Sequence, residues 1–277
     1  MAGIDAHQHF WKFNPVRDAW ITDEMSVIQR DFLPADLAPI LKQQGLDGCV
    51  VVQSDQSEQE NIFQLNNAAN YNFIRGVVGW VDLQAKNIKE QLTQYKSFPK
   101  MKGFRHVLQG EAQRDLMLAP AFMNGIKHLG AFNFTYDILV FPDQLKYIPD
   151  FVKAFPNQRF VIDHIAKPFI KDGIIDQWKK DISEIACFDN VYCKISGMVT
   201  EADWGNWAYE DFVPYLDTVV NAFGAKRILF GSDWPVCNVA GGYEKMIGIV
   251  RTYFSSFTGH EQHLFFGENA VQFYNLI

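Results

Sequence analysis

The chain has 277 residues, 48% of them hydrophobic and 21% charged, the balance of an ordinary globular protein long enough to bury a large core. Its formal net charge of −7 comes without any basic stripe, which argues against a nucleic-acid backbone as partner. No apolar run is long enough to span a bilayer, and the start, "MAGIDAHQHFW", lacks the basic and apolar regions of a signal peptide; a cytoplasmic protein with no membrane partner and with reduced thiols at Cys49, Cys187, Cys193 and Cys237 is expected.

A strand is expected over 4–10, rich in apolar residues and short. A helix follows over 34–45, with Pro near its start and Gly at its end. Then come a strand over 48–54, a helix over 58–71, a strand over 75–83 and a helix over 87–98. A strand over 102–109 precedes a helical run over 113–130 that Pro120 must break or kink. Strands over 132–140, 159–166, 191–198 and 227–234 alternate with helices over 141–156, 175–188, 209–224 and 242–254, and a last amphipathic segment covers 267–276. Eight alternations of strand and helix imply parallel strands joined by crossover helices, and so an α/β protein built as one (β/α)8 TIM barrel over residues 1–277. A doubly wound open sheet would carry a glycine-rich phosphate loop, and neither G-x-G-x-x-G nor G-x-x-x-x-G-K occurs. The long strandless stretches 11–47 and 198–226 are candidates to cover the barrel mouth.

Strand alternation puts Asp5, His7 and His9 on one face, and so polar a face fits the barrel interior better than the helix layer. Active sites of such barrels lie at the C-terminal ends of the strands, where His7 and His9 fall. Other strand ends carry Gln53 and Asp55, Arg105 and His106, Tyr136 and Asp137, His164, and Asp233 followed by Trp234. Alternation lets only one of Arg105 and His106 point inward. Neutral imidazoles and carboxylates are common ligands of zinc and similar metals, so His7, His9, His164 and Asp233 form a candidate mononuclear site with an open position for water. Asp5 lies deeper and suits orienting a ligand rather than touching substrate. Trp11, Trp20, Trp204 and Trp207 read as packing, with Trp234 the tryptophan placed to line the mouth. His128 near a helix end and His260 and His263 in a connection receive no function, and no G-x-S-x-G elbow exists.

The segments "IDAHQHFW", "GFRHVLQ", "VIDHIAKP", "KISGM", "FGSDWP" and "GENAVQFY" together resemble the amidohydrolase superfamily, and within it the branch of sugar-acid and dicarboxylate lactonases. The resemblance runs from the first strand to the last helix and implies a (β/α)8 barrel that opens a lactone to its hydroxy acid by water attack. In family terms the first-strand His pair matches His7 and His9, the later His matches His164, and the last-strand Asp matches Asp233. Strand seven carries Lys194 and Ser196 where many metal-dependent members have another His, so a binuclear centre is not implied. On this reading Asp233 is the general base, and His7, His9 and His164 either hold one divalent cation, zinc by type, or act metal-independently by polarising the lactone carbonyl. Arg105 or His106 would complete an oxyanion site, and Gln53, Arg105, Tyr136, Asp137 and Trp234 would contact a small-molecule lactone. A decarboxylase, an amide or ester hydrolase, a catalytically silent ligand-binding barrel and a homo-oligomeric state all stay open.

Overall fold

Eight parallel strands are hydrogen-bonded in sequence order: β1 (Ile4–Gln8), β2 (Gly48–Val52), β3 (Ile74–Gly79), β4 (Met101–His106), β5 (Thr135–Ile138), β6 (Phe160–Ile162), β7 (Val191–Ile195) and β8 (Ile228–Phe230). The structure is a computed structural model describing residues 3–276; Met1, Ala2 and Ile277, which the 1–277 expectation includes, lie outside the described residues. The sheet closes on itself where His9 N–H donates to the Trp234 carbonyl at 2.7 Å and Asp233 N–H donates to the His7 carbonyl at 2.8 Å. The result is the expected (β/α)8 barrel.

The helices are α1 (Pro34–Gln43), α2 (Glu58–Asn70), α3 (Ile88–Tyr95), α4 (Pro120–Ala131), α5 (Ile148–Lys153), α6 (Asp176–Ile185), α7 (Tyr209–Phe223), α8 (Gly242–Phe254), α9 (Gly259–His263) and α10 (Asn269–Tyr274). Their amphipathic spacing explains their seating: α6 buries Trp178, Ile182 and Ile185, one stripe at helical spacing. The Ser57 hydroxyl caps α2 by accepting from Glu60 N–H. Pro120 does not break a helix over 113–130; it starts one, at a position where a missing N–H costs nothing, after a short 3₁₀ turn at Leu116–Leu118. Among the described residues no helix is long and apolar enough to cross a membrane. All four cysteines are free thiols.

Alternation sorts each strand between two cores. Cys49 and Val51 face the helices, whereas Val50 and Val52 face the barrel interior with Val78, Val161 and Leu229. The floor of that interior is closed by Ala270, Phe273 and Tyr274 of α10. In β1 the register shifts: Asp5 pairs with Cys49 and Gln8 with Val51, so three steps on β1 span two on β2. This bulge overturns the expectation that Asp5, His7 and His9 share a face. Asp5 points outward, where its carboxylate accepts from Ser232 N–H (3.0 Å), Ser232 Oγ (2.6 Å) and Tyr243 Oη (3.0 Å). Burial pushes its pKa up to about 6 against those bonds.

Candidate active site and metal centre

The site is built where strands run out. His7 and His9 follow the bulge of β1, Arg105 lies in β4, Asp163 and His164 lie just past β6, and Asp233 lies past β8. Asp163 continues the inward alternation of Val161, which by itself would turn His164 outward. His164 enters the site because the backbone turns left-handed there: φ is 54° at His164, 47° at Ile165, 59° at Ala166 and 49° at Lys167. Each non-glycine residue in that region costs roughly 1–2 kcal/mol, the kind of strain that persists where function holds it. Asp233 is also left-handed, with φ 57°. Room for the His164 ring comes from Gly197, where an added Cβ would fall 2.4 Å from Nδ1. Gly231 does the same for His7, whose Cβ would be 2.6 Å away.

Hydrogen bonds decide which ring nitrogen faces the site. His9 Nδ1 lies 2.8 Å from the Val52 carbonyl, so it must donate and Nε2 carries the lone pair. His7 Nδ1 faces Asp163 Oδ1 at 3.2 Å and donates to it. Lys194 Nζ is 3.3 Å from the same nitrogen but is engaged by shorter contacts to Asp137 (2.5 Å) and Asp163 (2.9 Å). His164 Nδ1 meets Ser196 Oγ at 2.9 Å. The Nε2 atoms then converge: His7 and His9 at 3.2 Å, His9 and Asp233 Oδ1 at 3.2 Å, with Asp233 Oδ1 at 3.8 Å from His7 Nε2 and 3.9 Å from His164 Nε2.

Burial disfavours the charged imidazole at His164 and His7. It lowers His164 to about 4 and holds His7 well below the usual range, with Lys194 and His164 adding to the effect on His7. Asp233 is held well below the usual carboxylate range: burial opposes this, but the neighbouring imidazoles of His164, His9 and His7 outweigh it. Beneath, Asp137 and Asp163 cancel Lys194 and Arg105 in formal charge, which leaves Asp233 as the uncompensated charge. The His9 lone pair faces both His7 Nε2 and Asp233 Oδ1 at 3.2 Å, a repulsive arrangement that a proton or cation between them would relieve, while Arg105 Nη1 lies 3.3 Å from His7 Nε2. Donors around tetrahedral zinc, at about 2.0–2.1 Å each, stand roughly 3.3 Å apart. The donor set and its spacing suit a divalent metal held by His7, His9, His164 and Asp233.

These groups open onto a cavity of about 410 Å³ whose wall includes His9, Arg105, His164 and Asp233. The other predicted contacts lie elsewhere. His106 turns into the helix layer, where Nε2 meets Glu111 Oε1 at 2.7 Å and Nδ1 accepts from Trp80 Nε1, so alternation gives the interior to Arg105. Tyr136 likewise faces outward, packed against Phe122, Phe151 and Phe160; its neighbour Asp137 takes the inward position but sits in the floor beneath the cavity. Gln53 is buried behind the wall, and its carbonyl accepts from Arg105 Nη2 at 2.6 Å. Trp234 is 1% exposed, edge-on to Phe10 and Phe32. Trp20, 44% exposed, is the tryptophan that lines the cavity. It belongs to the 11–47 stretch expected at the mouth; none of 198–226 lines the cavity. Sequence reasoning passed over Asp163, and the alternation Phe160 out, Val161 in, Ile162 out was the signal that could have found it. Nothing local marked Arg17, Gln56, Gln109 and Lys167, which reach the wall from loops.

The amidohydrolase family, Amidohydro_2, matches residues 4–276. An L-fucono-1,5-lactonase of Burkholderia multivorans is 35% identical over 284 residues, which cover 99% of this chain and 96% of that protein. An L-fucono-1,5-lactonase of Burkholderia ambifaria is 36% identical over 280 residues, covering 99% and 95%. The crystal structure of an amidohydrolase from Burkholderia multivorans with zinc bound superposes with a TM-score of 0.97 at 35% identity over 100% of both chains. With a match that takes in every strand of the barrel and each residue of the imidazole–carboxylate cluster, the chain belongs to the amidohydrolase family.

Proposed function

We propose that this enzyme, acting as one unit over residues 1–277, hydrolyses the ring ester of a neutral sugar-acid lactone to the open hydroxy acid. The observation that carries the reading is the convergence of three Nε2 atoms and the Asp233 carboxylate beside a cavity whose cations are each paired with a carboxylate. Arg17 is paired with Asp18 at 2.8 and 2.7 Å, Lys167 with Glu201 at 2.8 Å, and Arg105 with Asp163 at 3.0 Å. Asp55 adds a carboxylate to the wall. A substrate bearing a further carboxylate finds no free countercharge there, whereas hydroxyls find Ser54, Asp55, Gln56 and Gln109, and a sugar face finds Trp20. The relatives named as lactonases favour this reading over a decarboxylase, an amide hydrolase or a silent barrel.

His7, His9, His164 and Asp233 would hold one divalent cation, zinc in keeping with the relative that binds it. When bound, it supplies Lewis acidity at the lactone carbonyl and lowers the pKa of water toward about 7. Asp233 turns Oδ1 to the imidazoles, and among the described residues nothing donates to Oδ2, which is therefore placed to take the proton of the attacking water. As the new C–O bond forms and the ring C–O bond breaks, Asp233 returns that proton to the leaving alkoxide. The Arg105 guanidinium contributes positive potential where negative charge develops.

Ring opening yields a carboxylic acid, so a pH-stat reads each turnover. Neutral aldono-1,5-lactones are expected to be hydrolysed with kcat/KM at least about 100-fold above a lactone dicarboxylate, the penalty of an anion left without a partner. Equal rates on the two would overturn the neutral-substrate reading. Removing the metal with a chelator is expected to abolish turnover, with one equivalent of zinc restoring it. Full activity in protein shown metal-free by elemental analysis would instead assign carbonyl polarisation to the imidazoles and Arg105 alone.

A further inference from the structure

The barrel floor carries an ion network that the chemistry above does not use. In β7, Val191, Cys193 and Ile195 face the helices, and Lys194 faces the interior. There it is fully buried between two fully buried carboxylates, with Nζ 2.5 Å from Asp137 Oδ2 and 2.9 Å from Asp163 Oδ1. Tyr274 of α10 donates to the same Asp137 Oδ2 at 2.7 Å. Asp163 Oδ1 in turn faces His7 Nδ1 at 3.2 Å, while Oδ2 accepts from Arg105 Nη1 at 3.0 Å. Each oxygen of Asp163 is thereby assigned: one looks toward Lys194 and His7, the other toward Arg105.

We propose that Lys194 is a positioning residue: its ammonium, clamped between Asp137 and Asp163, locks the Asp163 carboxylate in the one orientation that holds His7 as the Nδ1–H tautomer with Nε2 turned into the site. A carboxylate bonded to Arg105 alone can swing about that contact. The contact from Lys194 to Oδ1 fixes the second oxygen at the edge of the His7 ring. A partner of this kind, placed behind a ligand, typically changes metal affinity or activity by about 10–100-fold. The inference rests on His7 being a metal ligand of the proposed lactonase.

A bland alternative gives Lys194 no role beyond neutralising Asp137, and the double variant Lys194→Met/Asp137→Asn separates the two. It removes both charges of that pair together and leaves Tyr274 an amide oxygen to bond. Three readouts apply: thermal melting, zinc affinity by competition with a chelating dye, and the His7 tautomer from ring ¹⁵N shifts in metal-free protein. The expected result is near-native melting, a zinc affinity lowered about 10–100-fold, and loss of the pure Nδ1–H signature at His7, while Asp137→Asn alone keeps wild-type affinity. Wild-type zinc affinity and an unchanged His7 tautomer in a folded double variant would overturn the proposal. Should the double variant fail to fold, Asp163→Asn carries the same test: it keeps the shape and leaves Lys194 with Asp137. Unchanged zinc affinity there would overturn the proposal equally. None of these readouts needs a lactone, so a wild-type enzyme that fails to open any lactone would refute the assigned activity and leave this inference standing or falling on its own measurements.

Discussion

Asp233→Asn is expected to lower kcat by about 10²–10⁴-fold, the span that a positioned proton-transfer group contributes. The amide keeps the shape of the carboxylate and can still meet His9, so circular dichroism and melting should stay close to the wild type. On the proposed mechanism, what is lost is the acceptor for the water proton and the negative charge that would draw a cation among the imidazoles. Two effects therefore separate in the measurement. Weaker zinc binding is relieved by raising the zinc concentration, while the missing base is not. A variant saturated with zinc that hydrolyses the lactone at near wild-type rate would end the base assignment.

Gly197→Ala is expected to lower kcat/KM by about 10²-fold, the effect of displacing a catalytic group by around 1 Å. The added methyl would sit 2.4 Å from His164 Nδ1 and 2.7 Å from Cγ, inside van der Waals contact, so the ring must leave its place or the loop must shift. The residue also has φ 59°, where a Cβ costs roughly 1–2 kcal/mol. Melting should fall by about 2–4 °C per kcal/mol in a chain of this size. The ratio of the two effects is the informative quantity, because strain alone lowers melting and leaves the site intact. Wild-type kcat/KM with lowered melting would show that the His164 loop absorbs the methyl.

Much of the barrel was legible because its signal is periodic. Eight apolar runs separated by amphipathic ones leave few topologies, and the strands fall inside the expected runs except that β3 and β4 each begin one residue earlier. The strands are shorter than those runs, since pairing ends where the chain leaves the sheet to deliver side chains: 159–166 shrinks to Phe160–Ile162 ahead of the left-handed turn. Polar residues at strand ends could be listed from sequence, and the structure brings His7, His9, His164 and Asp233 together. What the list could not settle was direction. Tyr136 with Asp137, and Arg105 with His106, are neighbours in strands, so each pair divides between interior and helix layer, and the inward member depends on register with the next strand. Gln53 and Trp234 sit at the right ends but spend their contacts on Arg105 and on Phe10 and Phe32. The β1 bulge is invisible in one sequence because it is a mismatch between two strands. The run of positive φ from His164 to Lys167 contains no glycine, the residue that ordinarily announces such a backbone.

The docking of α10 onto the barrel floor has a consequence for biogenesis. Tyr274 meets Asp137, Lys194 and the interior face of β1, so the hollow is floored by a segment that follows every strand of the barrel in sequence. During vectorial synthesis the opening histidines wait, without Asp233 and without a sealed base, until more than two hundred later residues have emerged. A barrel still lacking β8 and α10 accordingly holds neither the complete imidazole–carboxylate cluster nor its floor.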